Sequence, residues 1–185
     1  GLVHDIFNIP ITTAISGEPT RAKCQSGVSK SYEKYAATVL KEFNSCKKTG
    51  LKDGTIDSSA GLEACLGVDP RLKISGAATK LTDTITKNCD GVNLATAFPG
   101  ECTGEAGSAA ALGACIANAA NCRACLALKQ MDGLDLQCDA YDNGVVDGSC
   151  AQCGNDQVDE GEECDDGLAN DDVTPIDETL RALDD

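Results

Sequence analysis

The chain has 185 residues, with twelve Cys, three Phe, three Tyr, no Trp and a formal net charge of −15. This length suits one domain, or one domain with a small appendage, and the scarcity of aromatic residues predicts that their burial contributes little to the core. Residues 1–130 carry 12 acidic and 14 basic side chains, whereas residues 131–185 carry 18 acidic side chains and only Arg181 as a base. The pattern excludes a nucleic-acid partner, because neutralising phosphates requires clustered bases.

The even number and high density of cysteines favour disulfides over free thiols, and disulfides persist in oxidising compartments. The chain begins at Gly1 rather than at Met, which fits a mature product whose signal peptide has been removed. No run of 18 apolar residues occurs, so no membrane span is expected. The sequence therefore predicts a secreted or cell-surface protein.

Residues 1–17 are expected to form an extended arm, since β-branched and aromatic residues dominate it and Pro10 bars a central strand. Two interpretations of the arm are open. It can pack on its own domain, or it can dock on a neighbouring subunit and cause self-association. In the second case the candidate assembly residues are Ile6, Phe7, Ile9 and Ile11.

Residues 18–130 show helical periodicity in four segments, 20–48, 58–66, 70–88 and 108–130. Gly/Pro loops such as Phe98-Pro99-Gly100 join them. From residue 131 onward the periodicity is lost and turn-forming residues dominate, apart from a short helix expected at 175–183. The predicted fold class is mainly α: a disulfide-stapled helical bundle with an extended N-terminal arm and a loop-rich, acidic module at 131–185.

Helix geometry restricts the disulfide pairing. If residues 20–48 form one helix, Cys24 and Cys46 lie about 33 Å apart and cannot pair. An antiparallel return of the helix at 70–88 then predicts the disulfides Cys24–Cys89 and Cys46–Cys65. The remaining cysteines are expected to tie the fourth helix to the acidic module, in a connectivity left open: Cys102, Cys115, Cys122, Cys125, Cys138, Cys150, Cys153 and Cys164.

Two CxxC motifs occur, at 122–125 and 150–153, and neither is followed by His, so covalent haem is excluded at both. A zinc site would need free thiolates, which an oxidising compartment disfavours. A thioredoxin-like redox role would need a preceding strand, but the first motif lies within an Ala-rich helical segment. Both motifs are therefore interpreted as disulfide cysteines.

Clustered carboxylates in the acidic module favour a structural calcium site over a solvated acidic face, because a hard cation relieves their mutual repulsion. The first candidate loop partly fits a calcium loop, but position twelve is Cys150 rather than Glu, so it is not an EF-hand. Its candidate ligands are Asp139, Asp142, Asn143 and Asp147. The ligands proposed in the second, stronger loop are Asn155, Val158, Asp159, Glu162, Asp165 and Asp166.

The segment 153–167, CGNDQVDEGEECDDG, resembles the myxobacterial cysteine-rich repeat, whose pattern is roughly C-G-N-G-x-[VI]-[DE]-x-G-E-x-C-D-D-G. Asp156 stands where the repeat has Gly, and the further cysteines of a full repeat are absent. The resemblance implies an exported or cell-surface bacterial protein and no particular activity. The whole chain also resembles exported, Cys-rich helical proteins of deltaproteobacterial type.

An enzyme is not expected, because the only His is His4 in the arm, and no nucleophile elbow, phosphate loop or dinucleotide fingerprint occurs. No nucleotide or haem cofactor is expected either. Two function classes stay open. The first is a self-assembling subunit of an extracellular filament or surface layer, stabilised by disulfides and calcium. The alternative is a monomeric secreted or cell-surface binding module with structural calcium.

Overall fold

The computed structural model describes residues 6–7, 17–146 and 148–150. Helix α1 (Pro19–Asp53) is a single uninterrupted helix of 35 residues. The Glu18 carboxylate accepts hydrogen bonds from two backbone amides of the first turn, at 3.0 and 2.7 Å. Gly54 ends the helix in the left-handed conformation, with φ of 69°. The single helix predicted over 20–48 is confirmed, and it continues beyond Gly50.

Within the described residues that follow α1 there are six shorter helices: α2 (Ser59–Glu63), α3 (Lys73–Asn88), α4 (Leu94–Ala97), a 3-10 helix (Glu101–Glu105), α5 (Ala109–Asp132) and α6 (Cys138–Asn143). The three longest of these seven helices, α1, α3 and α5, pack against one another pairwise. No strand occurs in the part of the chain that the structure describes. The mainly α fold class is therefore confirmed, while the helix expected at 175–183 lies outside the described residues.

The core lies between α1, α3 and α5, and it contains most of the aromatic residues of the chain. Most of the buried hydrophobic residues that the structure describes are aliphatic residues or Cys, and the buried aromatic residues are Phe7, Tyr32, Tyr35, Phe43 and Phe98. The largest fully buried side chains include Tyr32, Phe43, Phe98, Leu81, Ile85, Leu112, Ile116 and Leu128.

Three residues of the N-terminal arm are described: Gly17, which directly precedes the N-cap of α1, and the two apolar residues Ile6 and Phe7. Ile6 and Phe7 have helical backbone, so the extended conformation is wrong for them. Both are also buried in the core of their own chain, where the Phe7 ring lies 5.9 Å from that of Phe98. The Ile6 carbonyl accepts a hydrogen bond from the amide of Gly100 at 3.1 Å. For these two residues the intramolecular interpretation fits better, because burying them removes apolar surface from water. Ile9 and Ile11 lie outside the described residues.

Disulfides clamp the helical hairpin at both ends. Cys24–Cys89 joins the start of α1 to the end of α3, and Cys46–Cys65 joins the end of α1 to the turn after α2. Both predicted pairings are confirmed. They follow from the straight α1 helix, which separates Cys24 from Cys46, and from the antiparallel return of α3.

The other cysteines are only partly placed as expected. Cys125–Cys138 ties α5 to α6, which lies in the predicted acidic module. Cys102–Cys115 instead ties α5 to the 3-10 helix before it, so for this pair the expectation is wrong. The reason is local, since the connection between the two cysteines is short enough to return directly. Further disulfide-bonded cysteines are Cys122 and Cys150, while Cys153 and Cys164 lie outside the described residues.

The chain divides into two compact units, Gly1–Val145 and Val146–Asp185. The first unit therefore extends beyond the compositional change at residue 131. The physical reason is that Leu134, Leu136 and Cys138 are buried, so this stretch contributes to packing although its charge resembles that of the acidic module.

Helix α5 is long and apolar enough to cross a membrane by length and composition alone. Half of its apolar stretch is buried inside the protein. Side chains such as Leu112, Ile116 and Ala120 belong to the core cluster, as those of any core helix do. The absence of a membrane span stays a prediction.

Candidate functional site

A pocket lies where the last turns of α1 meet the segment 55–71 that folds back on it. Its volume is about 490 Å³, and pockets of roughly 300–1,000 Å³ are typical of small-molecule sites. We name it the apolar pocket, because its wall is mainly carbon. The wall includes Thr49, Gly50, Ile56, Ala64, Val68 and Pro70.

The Cys46–Cys65 disulfide forms part of this wall, since both cysteines line the apolar pocket. Their Cα atoms lie 5.7 Å apart. The covalent link holds the segment after α2 against α1 at this point of the wall, which limits how far the two sides can separate. The pocket is thus formed before any ligand arrives, which lowers the entropy lost on binding.

Gly50 allows the chain to fold back closely after α1. Its carbonyl accepts hydrogen bonds from the amides of Thr55 (2.9 Å) and Ile56 (3.2 Å). A Cβ atom at position 50 would lie only 2.3 Å from Cδ1 of Ile56. The close approach explains a glycine within a long helix, where alanine is otherwise favoured.

We expect Gly50→Ala to lower the free energy of unfolding by about 1 kcal/mol, because relieving the contact with Ile56 costs more than the helical gain. Gly76→Ala is the matched control. Gly76 is also helical and has open space around it, so this change should stabilise the protein by about 0.5–1 kcal/mol. Urea unfolding of both variants measures the difference, and equal stabilisation by both would refute the role of Gly50.

An ion pair between a buried carboxylate and a half-exposed guanidinium lines the apolar pocket. The Arg71 Nη2 atom donates to both carboxylate oxygens of Glu42, at 3.0 and 2.8 Å, and it lies 3.4 Å from the Ser45 hydroxyl. The exposed fractions of the two side chains differ sharply, at 56% for Arg71 and 5% for Glu42. The guanidinium therefore neutralises a buried carboxylate while much of its own surface stays open to solvent.

A second cavity, of about 610 Å³, lies beside the first between α1 and α3. We name it the basic groove, because its wall includes Lys34, Lys41, Lys73 and Lys80. On each helix the two lysines are seven residues apart, which places them on one face two turns from each other. Glu42 and Arg71 line this groove as well as the apolar pocket.

The entry into α3 is held by Asp69 rather than by the residue that directly precedes the helix. Its carboxylate accepts hydrogen bonds from the amides of Lys73 (2.6 Å) and Ser75 (2.9 Å) and from the Ser75 hydroxyl. Slight burial acts to raise the pKa of Asp69, but the hydrogen bonds from the backbone amides of Ser75, Ile74 and Lys73 outweigh it and hold the pKa below its usual value. The ionised form therefore caps the helix.

We expect Asp69→Ala to destabilise the protein by about 1 kcal/mol at neutral pH, as for other helix caps. Because the folded-state pKa is lowered, the contribution is present above the unfolded pKa, near 4, and is lost as the pH falls through the folded pKa. The difference from wild type should therefore shrink below about pH 4. Asp69→Asn keeps an acceptor at every pH and is the control; a pH-independent loss in Asp69→Ala would contradict ionised capping.

Leu72 has an unusual conformation at the wall of the basic groove. Its φ of 52° lies in the left-handed region, where no other non-glycine residue falls among those described. Its side chain is 70% exposed. A bulky residue in this region is strained, and such strain persists only where the surroundings impose it.

Tyr35 lines the basic groove and donates a hydrogen bond from its hydroxyl to Oδ1 of Asn121 at 2.9 Å. Burial raises the pKa of Tyr35, and it also raises the pKa of Tyr141. The Tyr35 hydroxyl therefore stays protonated near neutral pH and adds no negative charge to the groove.

The candidate calcium ligands are described only in part. Asp139, Asp142 and Asn143 lie on α6, where the Asn143 side chain accepts a hydrogen bond from the Val145 amide at 2.8 Å. Over residues 6–7, 17–146 and 148–150, no three His, Cys, Asp or Glu side chains gather in a group that could hold a metal ion. Asp147 and all candidates from Asn155 to Asp166 lie outside the described residues. The calcium site stays a prediction.

No family model, curated protein or solved structure matches this chain. The resemblance of residues 153–167 to the cysteine-rich repeat therefore stays a prediction. The sequence does not predict the apolar pocket or the basic groove, because the lining of each combines α1 with residues from later segments of the chain. One signal in the sequence was the seven-residue spacing of lysines on both α1 and α3.

Proposed function

We propose that the protein is an exported, non-catalytic binding module that holds a small ligand in the apolar pocket. Its disulfides fit an oxidising, extracellular environment. The observation that carries the proposal is the apolar pocket itself, a concave site whose sides are joined by the Cys46–Cys65 disulfide. A few polar groups, among them Arg71 and Thr49, converge on mainly apolar walls, which is the usual composition of a ligand site.

The experiment is a fluorescence titration of the native full chain with anilinonaphthalene sulfonate, a dye that brightens in apolar sites. We expect saturable binding of one dye molecule. Ala64→Phe adds a ring to the pocket wall and should weaken binding at least tenfold. Ala110→Phe adds the same ring at an exposed position outside the pocket and should leave binding unchanged. Equal dye binding by wild type and Ala64→Phe would contradict the proposal.

A second candidate is a self-associating structural subunit of a filament or surface layer. It is supported by the separation of charge, since residues 131–185 carry a net charge of −17 while residues 1–130 carry +2. Association through the arm would use Ile9 and Ile11, because Ile6 and Phe7 are buried in their own chain. Sedimentation velocity of wild type and of Ile9→Ser/Ile11→Ser tests it. A concentration-dependent oligomer that the double variant loses supports assembly, and a monomer at all concentrations refutes it.

In either case we propose calcium as a structural ion of the acidic module. Calcium that binds only the folded state raises the melting temperature. Adding calcium to protein treated with a chelator should therefore raise the melting temperature by several degrees, and magnesium should do so less, since its smaller ion demands stricter geometry. No shift with calcium would refute the site.

A further inference from the structure

The apolar pocket and the basic groove are neighbours that share two lining residues, Glu42 and Arg71. The shared residues form one ion pair, in which both carboxylate oxygens face the same Nη2 atom. The two cavities are therefore adjacent at this ion pair, and a ligand long enough to reach past Arg71 from the pocket would meet the groove.

The groove carries an excess of positive charge. Its wall contains five cationic side chains and one carboxylate, that of Glu42. Arg71 neutralises this carboxylate, and the nearby Asp69 is engaged in capping α3. The four lysines, Lys34, Lys41, Lys73 and Lys80, are exposed, and none has an acidic partner within ion-pair distance among the described residues.

Leu72 lies between Arg71 and Lys73 in the sequence, and all three residues line the groove. It lines the groove, it is 70% exposed, and its backbone is held in the left-handed region. The turn that opens α3 holds this backbone, since the Leu72 amide donates to the Asp69 carbonyl at 3.1 Å and the Leu72 carbonyl accepts from the Gly76 amide at 3.0 Å. The turn thereby presents the leucine side chain at the wall of the groove. A ligand with apolar and anionic parts would bury the leucine while it contacts the cations.

We infer that the ligand is an amphiphilic anion, whose apolar chain occupies the pocket and whose acidic head group lies among the lysines of the groove. This inference rests on the proposed binding function and names its ligand class. The apolar walls supply the hydrophobic part of the affinity, and the exposed guanidinium of Arg71 can donate to a carboxylate, sulfate or phosphate without leaving Glu42.

The test is isothermal titration of the native full chain with three probes: decanoate, 1-decanol and acetate. Decanol keeps the alkyl chain of decanoate without its charge, and acetate keeps the carboxylate charge without the long alkyl chain. Decanoate should bind at least tenfold more tightly than either. Raising the salt concentration should weaken decanoate binding and leave decanol binding unchanged, because only the head group is screened.

Variants separate the two cavities. Lys41→Gln/Lys73→Gln should weaken decanoate binding about tenfold and leave decanol binding unchanged. Lys23→Gln/Lys52→Gln, at exposed positions outside the groove, is the control and should have no effect on either probe. Leu72→Gly relieves the strained backbone, so it should keep the melting temperature and weaken both alkyl probes about threefold.

The outcomes distinguish the inference from the function on which it rests. Equal affinity for decanoate and decanol, with both lost in Ala64→Phe, would overturn the anionic ligand and keep the apolar pocket. Failure of both alkyl probes to bind would overturn the inference. The independent dye titration would then decide whether the apolar pocket binds any small ligand. Acetate binding as tightly as decanoate would overturn the role of the ligand's alkyl chain.

Discussion

Replacing Cys24 and Cys89 together with alanine is expected to lower the free energy of unfolding by about 4 kcal/mol. The two cysteines are 65 residues apart, and both are buried. Opening so long a loop gives the unfolded chain many additional conformations, and the loss is large against a typical total stability of about 5–15 kcal/mol.

The matched control is the double variant Cys46→Ala/Cys65→Ala, whose loop spans 19 residues. The same relation gives about 3 kcal/mol for this shorter loop. Urea unfolding under non-reducing conditions measures both variants. The Cys24/Cys89 variant should be the less stable of the two, and the reverse order would contradict stabilisation through loop length.

The second large effect is expected for Arg71→Ala, which leaves the Glu42 carboxylate buried without its partner. Removing one member of a buried pair costs about 3–5 kcal/mol. Because the Arg71 side chain is 56% exposed, water can partly replace it, and we expect a loss of about 2 kcal/mol.

A double variant shows whether the buried charge causes this loss. Glu42→Gln/Arg71→Ala removes the charge together with its partner and should recover about half of the loss, since a neutral amide is less costly to bury than a carboxylate. Urea unfolding of Arg71→Ala and of Glu42→Gln/Arg71→Ala measures the free energy of unfolding of each variant. If the double variant is as unstable as Arg71→Ala alone, the packing of the Arg71 stem rather than charge is responsible.

The helical hairpin could be predicted because its determinants are local and geometric. Apolar periodicity indicated α1, and the helical rise alone excluded a bond between Cys24 and Cys46. The sequence predicts the end of this helix at residue 48, too early, because glycine commonly ends a helix and Gly50 follows closely. Glycine is needed at position 50 because Ile56 approaches closely, and this approach depends on how the segment after α1 folds back.

The candidate site could not be predicted to the same extent, because its parts are distant in sequence. Glu42 and Arg71 are 29 residues apart and meet only when α3 returns along α1. The left-handed backbone of Leu72 carries no signal in the sequence, since leucine rarely adopts it. The burial of Ile6 and Phe7 likewise depends on a surface formed by Phe98, which lies far along the chain.

The most direct test of the binding site is an amide NMR titration of the native, isotope-labelled full chain with decanoate. We expect the largest chemical-shift changes in the amides of Thr49, Gly50, Gly61 and Val68 around the apolar pocket, with smaller changes at Leu72 and Lys73. The fitted affinity should fall in Ala64→Phe. Changes confined to other helices, or no changes at saturating decanoate, would contradict the site.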